Sequence, residues 1–395
     1  MNIATKETEL DYFEIAHSLA NEFAKTAIQR DKQGGTAKVE RDLIRKSGLL
    51  SLIVPKSLGG HGENWKPIFQ ITRELAKVDG SMAHLFGYHF LCLTSVHLYG
   101  SKQQKEKLYR ETAENNWFWS NAFNPRDENL VVKQEGTSLR LNGKKSFCSG
   151  ATDSDRLLIS AKSLDHNRPV IAFIPTKRTG IVVKGDWDSF GQRQTDSGTV
   201  IFNDVLLETE EVLDFYEQHQ KGIFPTLRTH IAQTILVHVL LGVAEGAFEE
   251  AKKYTKNVSS PWLTSGIEQA NRDPYTIRQY GDFFVQLKAS EALTQNAVDA
   301  LQEAWDKERS LTEQERGECG IMIATAKVSV AKTALEVTSR VFEVMGARAT
   351  SAQYGFDRFW RNVRTHTLHD PIEYKIRDLG NWALNDQLPE ITPYS

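Results

Sequence analysis

The chain has 395 residues, of which 40% are hydrophobic and 25% are charged, so it can bury a large core and has an ordinary globular composition. A formal net charge of -3 gives no electrostatic reason to expect nucleic acid or a membrane surface as a partner. Three widely spaced cysteines argue against a disulfide framework or a metal site and favour a reducing cytoplasm. The N-terminus lacks signal-peptide features and no stretch approaches the roughly 20 apolar residues of a membrane span, so we expect a soluble protein.

The first third of the chain has the pattern of helices separated by glycine and proline. Residues 49–55 have the composition of a short extended link. We therefore expect an N-terminal helical domain over residues 1–117. Apolar residues at helical spacing predict its helices at 9–28, 38–48, 65–78 and 81–98.

The periodicity changes near Phe118 to short β-type runs bounded by Gly, Asn and Asp. Asn142-Gly143 lies between two of these runs and predicts a hairpin turn, because both residues tolerate positive φ. A middle β-barrel domain is expected over residues 118–225. Its strands are predicted at 130–134, 139–141, 157–160, 170–174, 180–184 and 199–202.

After Pro225 the chain returns to long amphipathic helices, and Gly346 is expected to end the third of them. Asp370 is predicted to cap the last helix, with a proline at its first position and Glu373 reaching back to the cap. The sequence thus predicts an α+β protein whose C-terminal helical domain covers residues 226–395. The helices of that domain are predicted at 227–254, 274–307, 313–345 and 371–384.

Several local sequences have a familiar order and spacing. Residues 48–55 (GLLSLIVP), followed by Gly59-Gly60, precede residues 141–145 (LNGKK) and 148–151 (CSGA). Together they resemble the acyl-CoA dehydrogenase superfamily over essentially the whole chain. The resemblance implies an N-terminal helical domain, a middle β-barrel domain and a C-terminal four-helix bundle, assembled as a homotetramer.

Two longer runs narrow the resemblance. Residues 187–199 (WDSFGQRQTDSGT) and 364–371 (RTHTLHDP) are similar to the flavin-dependent monooxygenase branch that contains dibenzothiophene monooxygenase. In that branch a separate NAD(P)H:flavin reductase supplies reduced flavin, which reacts with O2 to a C4a-hydroperoxide. The resemblance therefore implies a monooxygenase that oxygenates a small sulfur-, nitrogen- or aromatic-containing substrate.

The chain lacks the carboxylate base that a dehydrogenase of this superfamily holds over its substrate. His369 occupies the position of the usual glutamate, and the other known location, residues 234–238, contains no carboxylate. An FAD-dependent acyl-CoA dehydrogenase that uses Asp370 or Glu245 as a displaced base is the alternative. A non-catalytic flavin- or DNA-binding member is a second alternative, although the C-terminal helices show no basic face.

The resemblance implies His369, His89 and Ser149 as catalytic residues. A histidine near its ordinary pKa of about 6.5 can pass protons in both directions at neutral pH, which suits His369. A structural role is the competing interpretation, and for His89 it is that of a buried helix histidine bound to the backbone.

The resemblance also implies a flavin site without a metal. Asn121 and Asn124 could instead serve the turn before Pro125, and Trp119 and Phe147 could pack on the flavin ring or in the core. The stretch that holds adenosine in FAD enzymes is replaced by residues 257–262 (NVSSPW), which favours reduced FMN over FAD. The expected cofactor-binding residues are Asn121, Asn124, Cys148, Ser149, Arg348, Arg361 and His366.

Overall fold

The structure is a computed structural model that describes residues 11–166 and 168–395. Helices precede and follow a central sheet, in the order that the sequence predicts. The helices are α1 (Tyr12–Ala24), α2 (Ala27–Gln33), α3 (Lys38–Lys46), α4 (Trp65–Ala76), α5 (Gly80–Tyr99), α6 (Lys102–Asn115), α7 (Phe215–Gln220), α8 (Leu227–Asn257), α9 (Pro274–Asp306), α10 (Glu313–Met345), α11 (Asp357–His366) and α12 (Ile372–Asn385). The strands are β1 (Trp119–Ala122), β2 (Leu130–Glu135), β3 (Ser138–Lys145), β4 (Arg156–Ser163), β5 (Pro169–Pro175), β6 (Ile181–Val183) and β7 (Val200–Leu207).

Polar side chains at helix starts explain several N-terminal boundaries. Asp79 accepts two backbone N–H groups at the start of α5, and Ser101 with Gln104 forms a capping box that starts α6. The first predicted helix is broken into α1 and α2, and residues 9–10 lie outside the described residues. The predicted extended link at 49–55 is wrong, since Leu49–Ser51 is a 3-10 turn. Consecutive side chains of an extended segment point to opposite faces, whereas the 3-10 turn lets Leu49 and Leu50 both be buried.

Within the described residues, the seven strands form one sheet in the order β1-β4-β2-β3-β7-β6, with β5 pairing to β4. The predicted Asn142-Gly143 turn is wrong, because both residues lie inside β3. Gly143 has φ 122° beside a register shift in the β3–β7 pairing, so the dipeptide forms a bulge. A Cβ there would lie 1.9 Å from the Asn129 carbonyl oxygen, which explains the glycine.

One long apolar helix lies at the centre of the C-terminal half. Helix α8, with the preceding turn from Phe224, is long and apolar enough to cross a membrane, with a mean hydropathy of 1.6 over its most apolar window. The expectation that no stretch approaches a span is therefore wrong by length and composition. However, 83% of that window is buried, and α8 packs on α4, α5, α9 and α10 as a core helix.

The predicted cap at the last helix is also wrong. Helix α12 begins at Ile372, and no side chain among the described residues accepts a hydrogen bond from its first turn. The Asp370 carboxylate instead lies 2.5 Å from the ammonium of Lys327 on α10. Both groups are buried, so pairing the two charges outweighs the cap. Gly346 ends α10 with φ 83°, as predicted.

Candidate active site

Helix α5 is mostly buried, and four of its side chains that carry polar atoms lie along one line. His84, Tyr88, Cys92 and Ser95 follow one another at spacings of four, four and three residues. This spacing places them on one face of the helix. Helix α5 contacts strand β1 and helix α11, so this face meets the β domain and the histidines near the end of the chain.

Two buried histidines and a serine form a hydrogen-bonded chain between these elements. His366 Nε2, at the end of α11, lies 2.9 Å from His84 Nδ1, and His84 Nε2 lies 3.1 Å from Ser149 Oγ. Burial lowers the pKa of His84 to about 3 and holds that of His366 well below its ordinary value. Both rings are therefore neutral, and each carries a single N–H.

Thr195 and Ser197, at the other end of these hydrogen bonds, determine which atom donates in each of them. Thr195 Oγ1 donates to the Gln192 carbonyl at 2.9 Å, and Ser197 Oγ donates to Thr195 Oγ1 at 2.8 Å. Ser149 must then donate to Ser197, which lies 2.8 Å away, and accept from the histidine before it. Each histidine therefore donates through Nε2. His366 Nδ1 is left as a buried acceptor with no hydrogen-bond partner among the described residues.

His369, three residues after His366, lies in a different environment. His369 Nδ1 lies 3.0 Å from Asp370 Oδ1, and because a carboxylate accepts only, this nitrogen donates. His369 Nε2 faces Tyr88 Oη at 3.5 Å, and the Tyr88 ring stacks on His84 at 4.1 Å. The side chain of His369 is 36% exposed, so its Nε2 can exchange protons with a substrate or water.

The charged groups behind His369 keep Asp370 ionised. Burial opposes ionisation of Asp370, but the hydrogen bond from His369 and the charge of Lys327 outweigh it and hold the pKa of this carboxyl well below its usual range. Burial lowers the pKa of Lys327, although Asp370 opposes that effect. Lys327 also donates to Gln233 Oε1 at 2.5 Å. The ionised carboxylate fixes the orientation of the His369 ring.

Two of the predicted flavin contacts offer free polar or aromatic groups. Asn121 is buried in β1, and its amide Nδ2 has no hydrogen-bond partner among the described residues. Phe147 has φ 57° and is 59% exposed, with its ring edge-to-face against Trp187. A buried donor without a partner and an exposed aromatic ring suit a polar, planar heterocycle. Trp119 is instead buried and donates to Thr112.

Three other predicted contacts are already engaged within the chain. Asn124 Oδ1 accepts the Arg126 backbone N–H, so its geometry is that of a turn residue. The Cys148 thiol lies in the core of the β domain, and its backbone N–H donates to the Gly198 carbonyl. The guanidinium of Arg361 forms ion pairs with Asp31 and Asp357 and donates to a backbone carbonyl.

Arg348 remains the stronger of the two phosphate candidates. It lies just beyond α10, is exposed, and forms no ion pair within residues 11–166 and 168–395. It can therefore reach an anionic group of a ligand without breaking an internal contact.

His89 directly follows Tyr88 on α5, but both of its ring nitrogens bond to the backbone. Nε2 is 2.8 Å from the Leu50 carbonyl, and Nδ1 accepts the Trp119 N–H at 3.1 Å. Burial lowers the pKa of His89 to about 4. This geometry fits the structural interpretation, because neither nitrogen is free for flavin or substrate.

The sequence analysis missed His84 and Tyr88, which the structure places between Ser149 and His369. The available signal was the recurrence of polar residues on one face of α5, within a segment too apolar for a surface helix. His366 was predicted as a flavin contact. The structure shows its Nε2 bonded to His84, and its Nδ1 has no hydrogen-bond partner among the described residues.

Three family models match most of the chain: the acyl-CoA dehydrogenase N-terminal domain over residues 7–116, the middle domain over 122–205 and the C-terminal domain over 234–374. A probable FMNH2-dependent monooxygenase, SfnC of Pseudomonas putida, is 47% identical over 96% of both chains. The chain belongs to the acyl-CoA dehydrogenase family.

Solved structures place it in the monooxygenase branch of that family. Methanesulfinate monooxygenase MsuC from Pseudomonas fluorescens superposes with a TM-score of 0.95 at 46% identity, over 98% of this chain and all of the other. TdsC from a Paenibacillus species, a dibenzothiophene monooxygenase solved with FMN, gives a TM-score of 0.94 at 42% identity over 98% of this chain and all of the other. These matches confirm the predicted fold class, the monooxygenase activity and the choice of reduced FMN over FAD.

Proposed function

We propose that the protein accepts reduced FMN from a separate reductase and transfers one oxygen atom of O2 to a small sulfur-containing substrate. The observation that carries the proposal is that two groups of histidines meet at Tyr88. His84 and His366 are buried and neutral, whereas His369 is partly exposed and bonded to the ionised Asp370. The relatives act on sulfur compounds by name, namely methanesulfinate and dibenzothiophene. Nitrogen and aromatic substrates are weaker candidates on that ground.

The unpaired polar groups of the site fit a flavin. Asn121 presents a buried donor and His366 a buried acceptor, and each needs a partner that the described residues do not supply. An isoalloxazine edge carries both carbonyl acceptors and an N–H donor. When bound, reduced FMN supplies the two electrons with which O2 is split, so that one oxygen atom reaches the substrate and the other leaves as water.

The two groups of histidines then have different roles. His84 and Ser149 are held neutral and directional, so they position hydrogen-bond partners without gaining charge. His369 can hold or deliver a proton at Nε2, because Nδ1 is fixed on the ionised Asp370. The buried faces of α5 and α8 exclude water, which limits the release of hydrogen peroxide.

The dehydrogenase alternative gains no support from the two carboxylates it requires. Glu245 on α8 binds the guanidinium of Arg73 on α4 through both oxygens. Asp370 is held by Lys327 and His369. Neither carboxylate is free to remove a substrate proton.

The assay is a coupled reaction of the protein with FMN, NADH and a flavin reductase, in which O2 consumption, oxygenated product and hydrogen peroxide are measured. We expect product from at least one sulfur compound and no dye reduction with straight-chain acyl-CoA thioesters. Saturable reduction of a dye by such a thioester, with no oxygenated product from any sulfur compound, would overturn the proposal.

We also propose that the protein is a homotetramer that acts in the cytoplasm. Helix α9 exposes several large apolar side chains, including Tyr275, Phe284 and Val285, which a second copy would cover. Light scattering should give the mass of four 44.7 kDa chains. A monomer would contradict this part of the proposal.

A further inference from the structure

An arginine with no ion pair among the described residues lies at the opposite end of the α5 polar face from Ser149. Arg228 is the second residue of α8 and is partly buried. Its Nε donates to Ser95 Oγ at 2.7 Å, and its guanidinium lies 3.9 Å from the centre of the Phe123 ring. No carboxylate within the described part of the chain forms an ion pair with it.

The position of Arg228 places it beside the candidate active site. Ser95 follows Tyr88 by seven residues on the same face of α5, about 10 Å along the helix axis. Phe123 follows Asn121 by two residues, just beyond the end of β1. The charge of Arg228 acts on Tyr88, where it opposes the rise in the Tyr88 pKa that burial causes. The polar face thus has a neutral histidine at one end and an uncompensated cation at the other.

A second arginine reinforces this charge. Arg126 lies on the loop after β1, is exposed, and forms no ion pair with any described residue. Its charge acts on Tyr394, whose ring centre lies 6.0 Å from that of His369. Arg228 and Arg126 therefore both place positive charge near Tyr88 and Tyr394, in a region that also contains the Asp370 carboxylate.

Packing alone does not account for Arg228. A methionine could cover Phe123 without the cost of partly burying a charge. The planar guanidinium is fixed by Ser95 through Nε and by Phe123 on one face, so its two terminal nitrogens remain available as a fork of donors. Such a fork matches a headgroup with two oxygen atoms sharing one negative charge.

We propose that Arg228 is a specificity-determining residue that binds the headgroup of a small organosulfur anion, an alkanesulfinate being the simplest. This inference rests on the proposed monooxygenase function. With the two sulfinate oxygens on Arg228, the sulfur lone pair is free to form a new S–O bond. The O–O bond of O2 breaks, the sulfinate becomes a sulfonate, and the second oxygen atom takes two electrons from reduced FMN and two protons to leave as water.

The test compares an anionic and a neutral substrate in the coupled assay, with methanesulfinate and dibenzothiophene as the probes. For Arg228→Met, we expect KM for methanesulfinate to rise on the order of 10- to 100-fold, because a charge-assisted hydrogen bond is lost. KM for dibenzothiophene should stay unchanged. Arg228→Lys should recover part of the loss. Arg110→Met removes an exposed arginine of α6 and should behave like the unaltered protein.

A measurement without turnover separates this inference from the proposed function. Methanesulfonate cannot accept another oxygen at sulfur, and it should raise the melting temperature of the unaltered protein but not of Arg228→Met. The assignment of Arg228 is overturned if neither sulfinate nor sulfonate binds the unaltered protein, or if Arg228→Met raises KM equally for methanesulfinate and dibenzothiophene. In either case the monooxygenase activity stands. If no sulfur compound is oxygenated but methanesulfonate still binds through Arg228, the proposed function fails and the anion site remains.

Discussion

His366 and His369 are only three residues apart, yet the structure gives them opposite environments. His366 is buried, neutral and joined to His84 in a chain whose hydrogen bonds all run in one direction. His369 is partly exposed and bonded to an ionised carboxylate that a buried lysine supports. The comparison shows how one short segment can supply both a rigid positioning group and a proton-exchanging group, since a turn separates the two faces.

The largest expected effect concerns the ion pair behind His369. Lys327→Met leaves Asp370 buried without its cation, so the free energy of unfolding should fall by about 3–5 kcal/mol in urea denaturation. Lys66→Met removes a solvent-exposed pair with Asp299 and should give no resolved change. Adding Asp370→Asn to Lys327→Met should recover much of the loss. Equal stability of Lys327→Met and the unaltered protein would show that the pair does not support His369.

The next largest effect should be catalytic. His369→Ala should lower oxygenated product per reduced FMN by about 10²-fold or more, with the electrons recovered as hydrogen peroxide. The melting temperature and FMN binding should change little, because the side chain is partly exposed. A lower melting temperature with an unaltered ratio of product to peroxide would instead assign His369 a structural role.

Loss of the hydrogen bonds that join His366, His84 and Ser149 should lower both stability and FMN binding. His84→Phe removes the hydrogen bonds to both Ser149 and His366, which should cost about 1–3 kcal/mol and weaken FMN binding measured by calorimetry. His97→Phe is the matched control, because His97 is also a mostly buried α5 histidine but makes ring contacts and no hydrogen bond among the described residues. Equal losses from the two variants would remove His84 from the site.

The smallest effect is a pH dependence of stability. Burial lowers the pKa of His97 from 6.5 to about 4, so between these values the unfolded chain binds the proton and the folded chain does not. Stability should therefore fall as pH falls through this window, by about 1.4 kcal/mol per pH unit for each such histidine. His97→Phe should reduce the slope of unfolding free energy between pH 6 and 5 by about that amount. Identical slopes would show that His97 is accessible to protons in the folded protein.

Local pattern was sufficient for most of the fold. Helix α10 begins and ends where the sequence predicts, because a capping threonine and a terminal glycine punctuate a long amphipathic segment. Asn142-Gly143 shows the limit of such signals. The same positive φ serves a turn or a bulge, and only the pairing of β3 with β7 decides between them.

The sequence by itself determined the family, the order of helices and strands and the absence of a carboxylate at the two base positions, and it made His369 a candidate, because these depend on residue type and spacing along the chain. Only the tertiary structure decided that Asp370 pairs with Lys327 and does not cap α12, that His84 joins Ser149 to His366, and that His89 serves the backbone. Those assignments depend on which groups meet after burial. A buried charge or donor takes the partner that lies nearest in space, and that partner can be hundreds of residues away along the chain.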